Sequence, residues 1–170
     1  MSKKIQSFPF SADENSHVLI LGSMPGEESL KQQHYYAHPR NLFWEFMGEL
    51  FGAGRDLPYG ERLTRLRGNG VALWDVACAC RRKGSLDSNM KEVEANDFKA
   101  LFKTAPQIHT VFFNGQKAAA LFRKRVLPNI GNELNLITLP STSPANASVS
   151  LEKKKAAWAQ VRTARHAGTL

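Results

Sequence analysis

Four short apolar runs punctuate the chain: His17–Leu21, Val71–Val76, Thr110–Phe113 and Leu134–Leu139. Each is rich in Val, Ile, Leu or Phe, and each gives way to turn or polar residues. A sheet with one wet face shows alternation. Continuous runs like these predict strands covered on both faces, as in a parallel sheet. Between the runs the spacing turns helical. Leu42–Phe51 sets Phe43, Phe46, Met47 and Leu50 on one face, and Tyr59–Leu66 contributes Leu63 and Leu66. Val93–Phe102 offers Phe98, Leu101 and Phe102; Gln116–Val126 offers Ala119, Ala120, Leu121 and Phe122. A last helix is expected near Leu151–Ala164, with Leu151, Ala156, Trp158 and Val161 inward and Ser150 able to cap it.

Strands alternating with helices predict an α/β fold: a three-layer α/β/α sandwich around a central, mostly parallel four-stranded sheet. No repeat or low-complexity linker divides the chain, so residues 1–170 are expected to form one domain with one core. In such sheets ligands bind beyond the carboxyl ends of the strands. The segments to inspect therefore begin at Gly22, Asp75, Asn114 and Pro140.

Composition narrows the field. No apolar run approaches the roughly 20 residues that span a bilayer. The start carries Lys3 and Lys4 without a long apolar stretch or a small-residue cleavage pattern, so no signal peptide and a cytoplasmic location are expected. Cys78 and Cys80, two residues apart, cannot staple a fold or by themselves hold a cluster, and are expected to be free thiols. Net charge is +8, with 11 basic against 9 acidic residues in 1–85 and 12 against 6 in 86–170. That excess suits a polyanion such as nucleic acid, or is simply a basic surface.

Three segments could carry chemistry. Gly22-Ser23-Met24-Pro25-Gly26 follows a strand and lets the backbone approach a ligand, or is a plain tight turn. It lacks the Gly-Lys-Ser/Thr ending of a phosphate-binding P-loop. Tyr35–Trp44, dense in aromatic and polar groups, precedes a helix. A flipped base needs an aromatic face, and a water nucleophile needs a positioning group. Asn41 is a candidate for that group or an N-cap, Phe43 and Trp44 are candidates for core alone, and His38 is a minor candidate. Pro140-Ser141-Thr142-Ser143-Pro144-Ala145-Asn146 follows the last strand; its hydroxyls suit phosphate oxygens, or it is a Ser/Pro-rich surface loop. Asn114 opens the helix after the third strand, where a capping role is preferred and a site-facing role is the alternative.

In this order, Gly-Ser-Met-Pro-Gly, Ala-His-Pro-Arg-Asn-Leu-Phe-Trp and Leu-Pro-Ser-Thr-Ser-Pro-Ala-Asn-Ala resemble the uracil-DNA glycosylase superfamily. The similarity runs from about His17 to about Trp158 and is greatest to the hypoxanthine-DNA glycosylase branch. The resemblance implies monofunctional hydrolysis of the N-glycosidic bond of a deaminated base in DNA, most simply hypoxanthine. A uracil or mismatch-specific glycosylase, or a non-catalytic binder of damaged DNA, is the alternative. Where mismatch-specific relatives carry a water-positioning Asn, this chain has Met24; an Asp used by another branch has only the displaced Glu27 and Glu28 near it. In the hypoxanthine branch the role passes to the residue matching Asn41. Tyr36 matches the aromatic that stacks on the flipped base. Asp75 falls where relatives read the base edge, and could instead pair locally; Gly22, Ser23 and Met24 complete the base-binding set. Leu139 replaces a His that many relatives place before the last loop, where Ser141, Thr142, Ser143 and Asn146 are implied to contact DNA. No lysine stands in these motifs for a lyase route. No cofactor and no metal are expected, and the partner is damaged DNA bound by a monomer, with no membrane.

Overall fold

The computed structural model describes residues 4–82, 85 and 90–165. Its centre is a sheet of four parallel strands: β2 (Val18–Gly22), β3 (Val71–Asp75), β6 (Thr110–Asn114) and β7 (Asn135–Leu139), in the order β3-β2-β6-β7. These are the four apolar runs. Every residue of β2 and β3 is buried, as continuous hydrophobic strands require. Helices flank the sheet: α1 (Glu27–Gln32), α2 (Phe43–Phe51), α3 (Tyr59–Gly68), α4 (Phe98–Thr104), α5 (Gln116–Arg125), α6 (Leu151–Trp158) and α7 (Gln160–Ala164). Ser150 caps α6 by accepting a hydrogen bond from the Lys153 amide at 3.3 Å.

Three corrections follow. Val93–Ala95 is not helical: it belongs to strand β5 (Lys91–Ala95), and the helix starts only at Phe98, behind the Asp97 cap. β5 joins β1 (Lys4–Gln6) and β4 (Ala77–Arg81) in a second, antiparallel sheet of order β1-β4-β5. The expected last helix is two, α6 and α7, meeting at Ala159.

Aromatic contacts tie helices to sheet. Trp74 of β3 packs on Phe98 at 5.0 Å between ring centroids, Phe98 on Phe122 at 5.5 Å, and Phe122 on Phe113 of β6 at 5.2 Å. A second group gathers on Trp158 of α6, which meets Phe43 at 5.9 Å and Phe46 at 6.2 Å. Each such fully buried ring contributes roughly 1.5–3 kcal/mol by leaving water.

The segment before β2 shields the outer edge of β3. Ser11 and Leu73 exchange both backbone hydrogen bonds at 2.9 Å. Trp74 Nε1 donates to the Phe8 carbonyl at 2.9 Å, and Tyr35 Oη to the Pro9 carbonyl at 2.9 Å. An edge covered in this way offers no template for pairing with another chain. Among the described residues no helix is long and apolar enough to cross a membrane.

Candidate active site

The strand order reverses between β2 and β6, which are adjacent although β3 separates them in sequence. Such a switch point opens a crevice beyond the carboxyl ends of the strands. Gly22 and Asn114 end those two strands. Asp75 lies in register with Gly22 across one pair, and Leu139 with Asn114 across another.

Gly22 is set by crowding. A Cβ there would lie 2.6 Å from Asp75 Oδ1 and 2.9 Å from Tyr36 Oη. The backbone of β2, the Asp75 carboxylate and the Tyr36 phenol thus converge on one point. Asp75 is only 3% exposed. Its Oδ2 accepts from Ser7 Oγ at 2.9 Å, and its carbonyl from Asn96 Nδ2 at 2.8 Å. A buried carboxylate needs such donors to stay oriented. Beneath it, burial and then the Asp75 charge push the Tyr35 phenol far up, so it remains a neutral donor to Pro9.

Tyr36 adopts a left-handed backbone, φ 54°, which is uncommon for a bulky residue and costs on the order of 1 kcal/mol or more. One face of its ring stacks on Phe43, 4.0 Å between centroids and 25° from parallel. Phe43 is itself fully buried, so it backs Tyr36 rigidly.

The first loop hangs from the neighbouring strand end. The Gly22 carbonyl accepts from Val76 N at 2.8 Å and the Ser23 carbonyl from Ala77 N at 3.1 Å. The Pro25 carbonyl receives the buried Arg82 guanidinium. Ser23 is buried, and Met24 packs into the core cluster.

In the second segment, the N-cap of α2 is Leu42, which makes no side-chain cap bond; Asn41, one residue before it, accepts from Phe43 N through Oδ1 at 3.0 Å and so satisfies the first amide of the helix. It is half-buried, and its Nδ2 makes no hydrogen bond to the described residues. His38 turns inward on its own loop, its Nδ1 accepting from Arg40 N at 3.1 Å. Leu42 N donates to the Thr142 carbonyl at 3.1 Å, stitching the second segment to the third.

The third segment is held from below. Asn114 Nδ2 donates to Thr142 Oγ1 and Asn114 Oδ1 accepts from Thr142 N, both at 2.9 Å. The preferred capping role of Asn114 is therefore overturned. The cap of α5 is Gly115 at φ 97°, with no side-chain bond, and the Asn114 amide is spent on the loop. Thr142 is 1% exposed and faces Asn114, whereas Ser141 and Ser143 reach the surface in part. Trp158 Nε1 donates to the Pro140 carbonyl at 2.9 Å. Asn146 Nδ2 donates to the Ser141 carbonyl at 3.2 Å, and its own carbonyl accepts from the buried Lys154 Nζ at 2.5 Å.

Ser7, Arg82, Lys154 and Trp158 escaped the sequence reading. Trp158 is legible in the sequence as core, but not as a support of the Pro140 carbonyl. None lies within a motif, and their partners are up to 68 positions away.

Comparison with known proteins gives the family. A match to the family described as "Uracil DNA glycosylase superfamily" spans residues 8–162. Two curated relatives carry the name hypoxanthine DNA glycosylase. The Methanosarcina barkeri protein is 39% identical over 92% of this chain and 97% of its own; the Methanosarcina acetivorans protein is 38% identical over 92% and 96%. The solution structure of a Methanosarcina acetivorans protein, described as a candidate uracil DNA glycosylase, superposes with a TM-score of 0.80 at 36% identity, covering 96% of this chain and all of that one. The chain belongs to the uracil DNA glycosylase superfamily.

Proposed function

We propose that the protein is a monofunctional DNA glycosylase that hydrolyses the N-glycosidic bond of a deaminated base, hypoxanthine first among the candidates. The observation that carries this reading is the convergence of Gly22, Asp75 and Tyr36 at the switch point, with Tyr36 stacked on Phe43, whose amide binds Asn41 Oδ1. The names of the two relatives support the choice of hypoxanthine.

The chemistry follows from the residues. The lesion leaves the base stack, which costs a few kcal/mol and least at a mispair. Its ring lies against the face of Tyr36 not taken by Phe43. The Asp75 carboxylate, an acceptor only, reads an N–H on the base edge; hypoxanthine presents one at N1. Backbone amides of the Gly22–Met24 turn meet charge growing on the departing base. The bond breaks toward an oxocarbenium-like sugar. Asn41 holds water at the sugar carbon. Its Oδ1 is oriented by the Phe43 amide and keeps a second lone pair for that water. Ser141 and Ser143 grip flanking phosphates, with Thr142 as their buried prop and Asn146 at the gap left by the base.

A lyase route would need a lysine for a Schiff base; among the described residues Lys154 is bonded to the third loop, and it is spent on the Asn146 carbonyl.

The test is a panel of duplexes carrying hypoxanthine, uracil or xanthine, with abasic sites measured. Release of hypoxanthine is expected. Uracil as the preferred base would move the protein to the uracil-removing branch. Retention of damaged duplex with no base released would make it a binder.

A further inference from the structure

We propose that Arg55 is the positioning residue that fixes Asn41 for base release, an inference that rests on the role given to Asn41 above. Arg55 lies in the loop between α2 and α3, outside all three motif segments. Its guanidinium reaches back across the turn at residues 38–41. Nη2 donates to the His38 carbonyl at 2.8 Å and to the Asn41 carbonyl at 3.2 Å. The Asn41 amide also donates to the His38 carbonyl, at 2.9 Å. One cation therefore bridges the first and last carbonyls of the turn whose last residue is Asn41.

The other supports of this turn come from the second and third segments themselves: Phe43 N to Asn41 Oδ1, and Leu42 N to the Thr142 carbonyl. Each holds one side. Arg55 closes the remaining side, along a surface groove of about 380 Å³ that it lines with Arg40, Asn41 and Glu45. Arg55 is exposed, so its removal opens no core cavity and breaks no buried ion pair. An exposed hydrogen bond to a neutral carbonyl adds little to stability. What it does supply is registration. A planar guanidinium loses little freedom per bond formed, and it fixes two carbonyls at a set separation. A displacement of about 1 Å at a water-positioning group can cost about 100-fold in rate.

The experiment compares wild type, Arg55→Ala and Arg55→Lys by steady-state base release from the hypoxanthine duplex, and by hydrogen exchange at the Asn41 and Phe43 amides. Arg55→Ala is expected to lower kcat about 10- to 100-fold with KM within about threefold, and to speed exchange at both amides about tenfold. Amides in β6, such as Val111, are expected to keep their wild-type rates. Arg55→Lys keeps a charged donor but carries it on a more mobile stem than the planar guanidinium whose Nη2 makes both bonds, and is expected to recover part of kcat. Unchanged kcat in Arg55→Ala would overturn the inference, as would a loss confined to KM, which marks a mere phosphate contact. If the wild type releases no base, the glycosylase reading falls. The exchange measurement then decides the grip of Arg55 on the turn: unchanged exchange at Asn41 overturns it, and faster exchange supports it.

Discussion

Asn114 and Thr142 hold each other by two hydrogen bonds of 2.9 Å, one through each end of the Asn114 amide. The end of β6 is thereby bolted to the loop that follows β7. Through the Thr142 carbonyl and Leu42 N the same bolt reaches the turn of Asn41. Asn114→Ala leaves the Thr142 amide without this partner in a buried place, at a cost of about 1–3 kcal/mol. Denaturant unfolding is expected to report that loss, with base release falling further than stability because the third loop loosens. Equal activity in the variant would dissociate the bolt from the site.

Gly22→Ala tests the convergence directly. The new methyl would press on Asp75 Oδ1, whose partner oxygen is held by Ser7, and on Tyr36 Oη. Neither group can retreat without leaving the proposed base pocket. Base release is expected to drop at least about 100-fold, while far-UV dichroism stays that of the wild type. Near-normal activity would mean that the base does not lie against this point.

On the proposed mechanism Asn41 has two jobs, supporting the start of α2 and holding water, that substitution can separate. Asn41→Ser retains an oxygen able to support α2, and its melting temperature is expected to stay close to wild type. Asn41→Ala loses that support as well, about 1 kcal/mol. Both are expected to lose base release by at least about 100-fold, if one positioned water is the nucleophile. Full activity in Asn41→Ser would remove Asn41 from the mechanism.

His109 makes a prediction remote from the site. It precedes β6, at the opposite end of the sheet. Burial, and then the neighbouring His17, lower its pKa; burial and Arg62 lower that of His34. The folded protein therefore favours the neutral rings more than the unfolded chain does. That contribution is complete above the ordinary histidine value of about 6.5 and is lost as pH falls through it toward the lowered folded values. The melting temperature is expected to fall between about pH 7.5 and 5.5, and to fall less in His109→Gln. A flat profile in the wild type would contradict the shifts.

The parallel sheet was legible because burial on both faces leaves a dense apolar run in β2, β3 and β6. The edge strand β7, where only Leu139 is buried, still shows Leu136, Ile137 and Leu139 but is not covered on both faces as the sequence predicts. The antiparallel sheet was not. β5 reads Lys-Glu-Val-Glu-Ala and is mostly exposed, so neither apolar density nor a clean alternation marks it, and Val93 lent itself to the helix beginning at Phe98. The three site segments announced themselves by glycine, proline and clustered aromatics. Their supports did not. Ser7, Arg55, Arg82 and Lys154 are ordinary residues whose meaning lies in distant partners. Asn114 was misassigned for the same reason: a strand-end Asn before a helix predicts a cap, and the residue that claims it stands 28 positions on.

The segment clamped along β3 has a kinetic corollary. Ser7 reaches Asp75 across 68 positions and Phe8 reaches Trp74 across 66. The clamp lies outside the four-stranded sheet and is laid on β3, so it can dock only once β3 is in place. The Asp75 carboxylate, proposed to read the base, gains its Ser7 donor only at that step. A partly folded chain with its central sheet complete would remain unable to cut a glycosidic bond. Regain of activity during refolding is thus expected to lag the return of secondary structure, and stopped-flow dichroism run beside a base-release assay would time the interval.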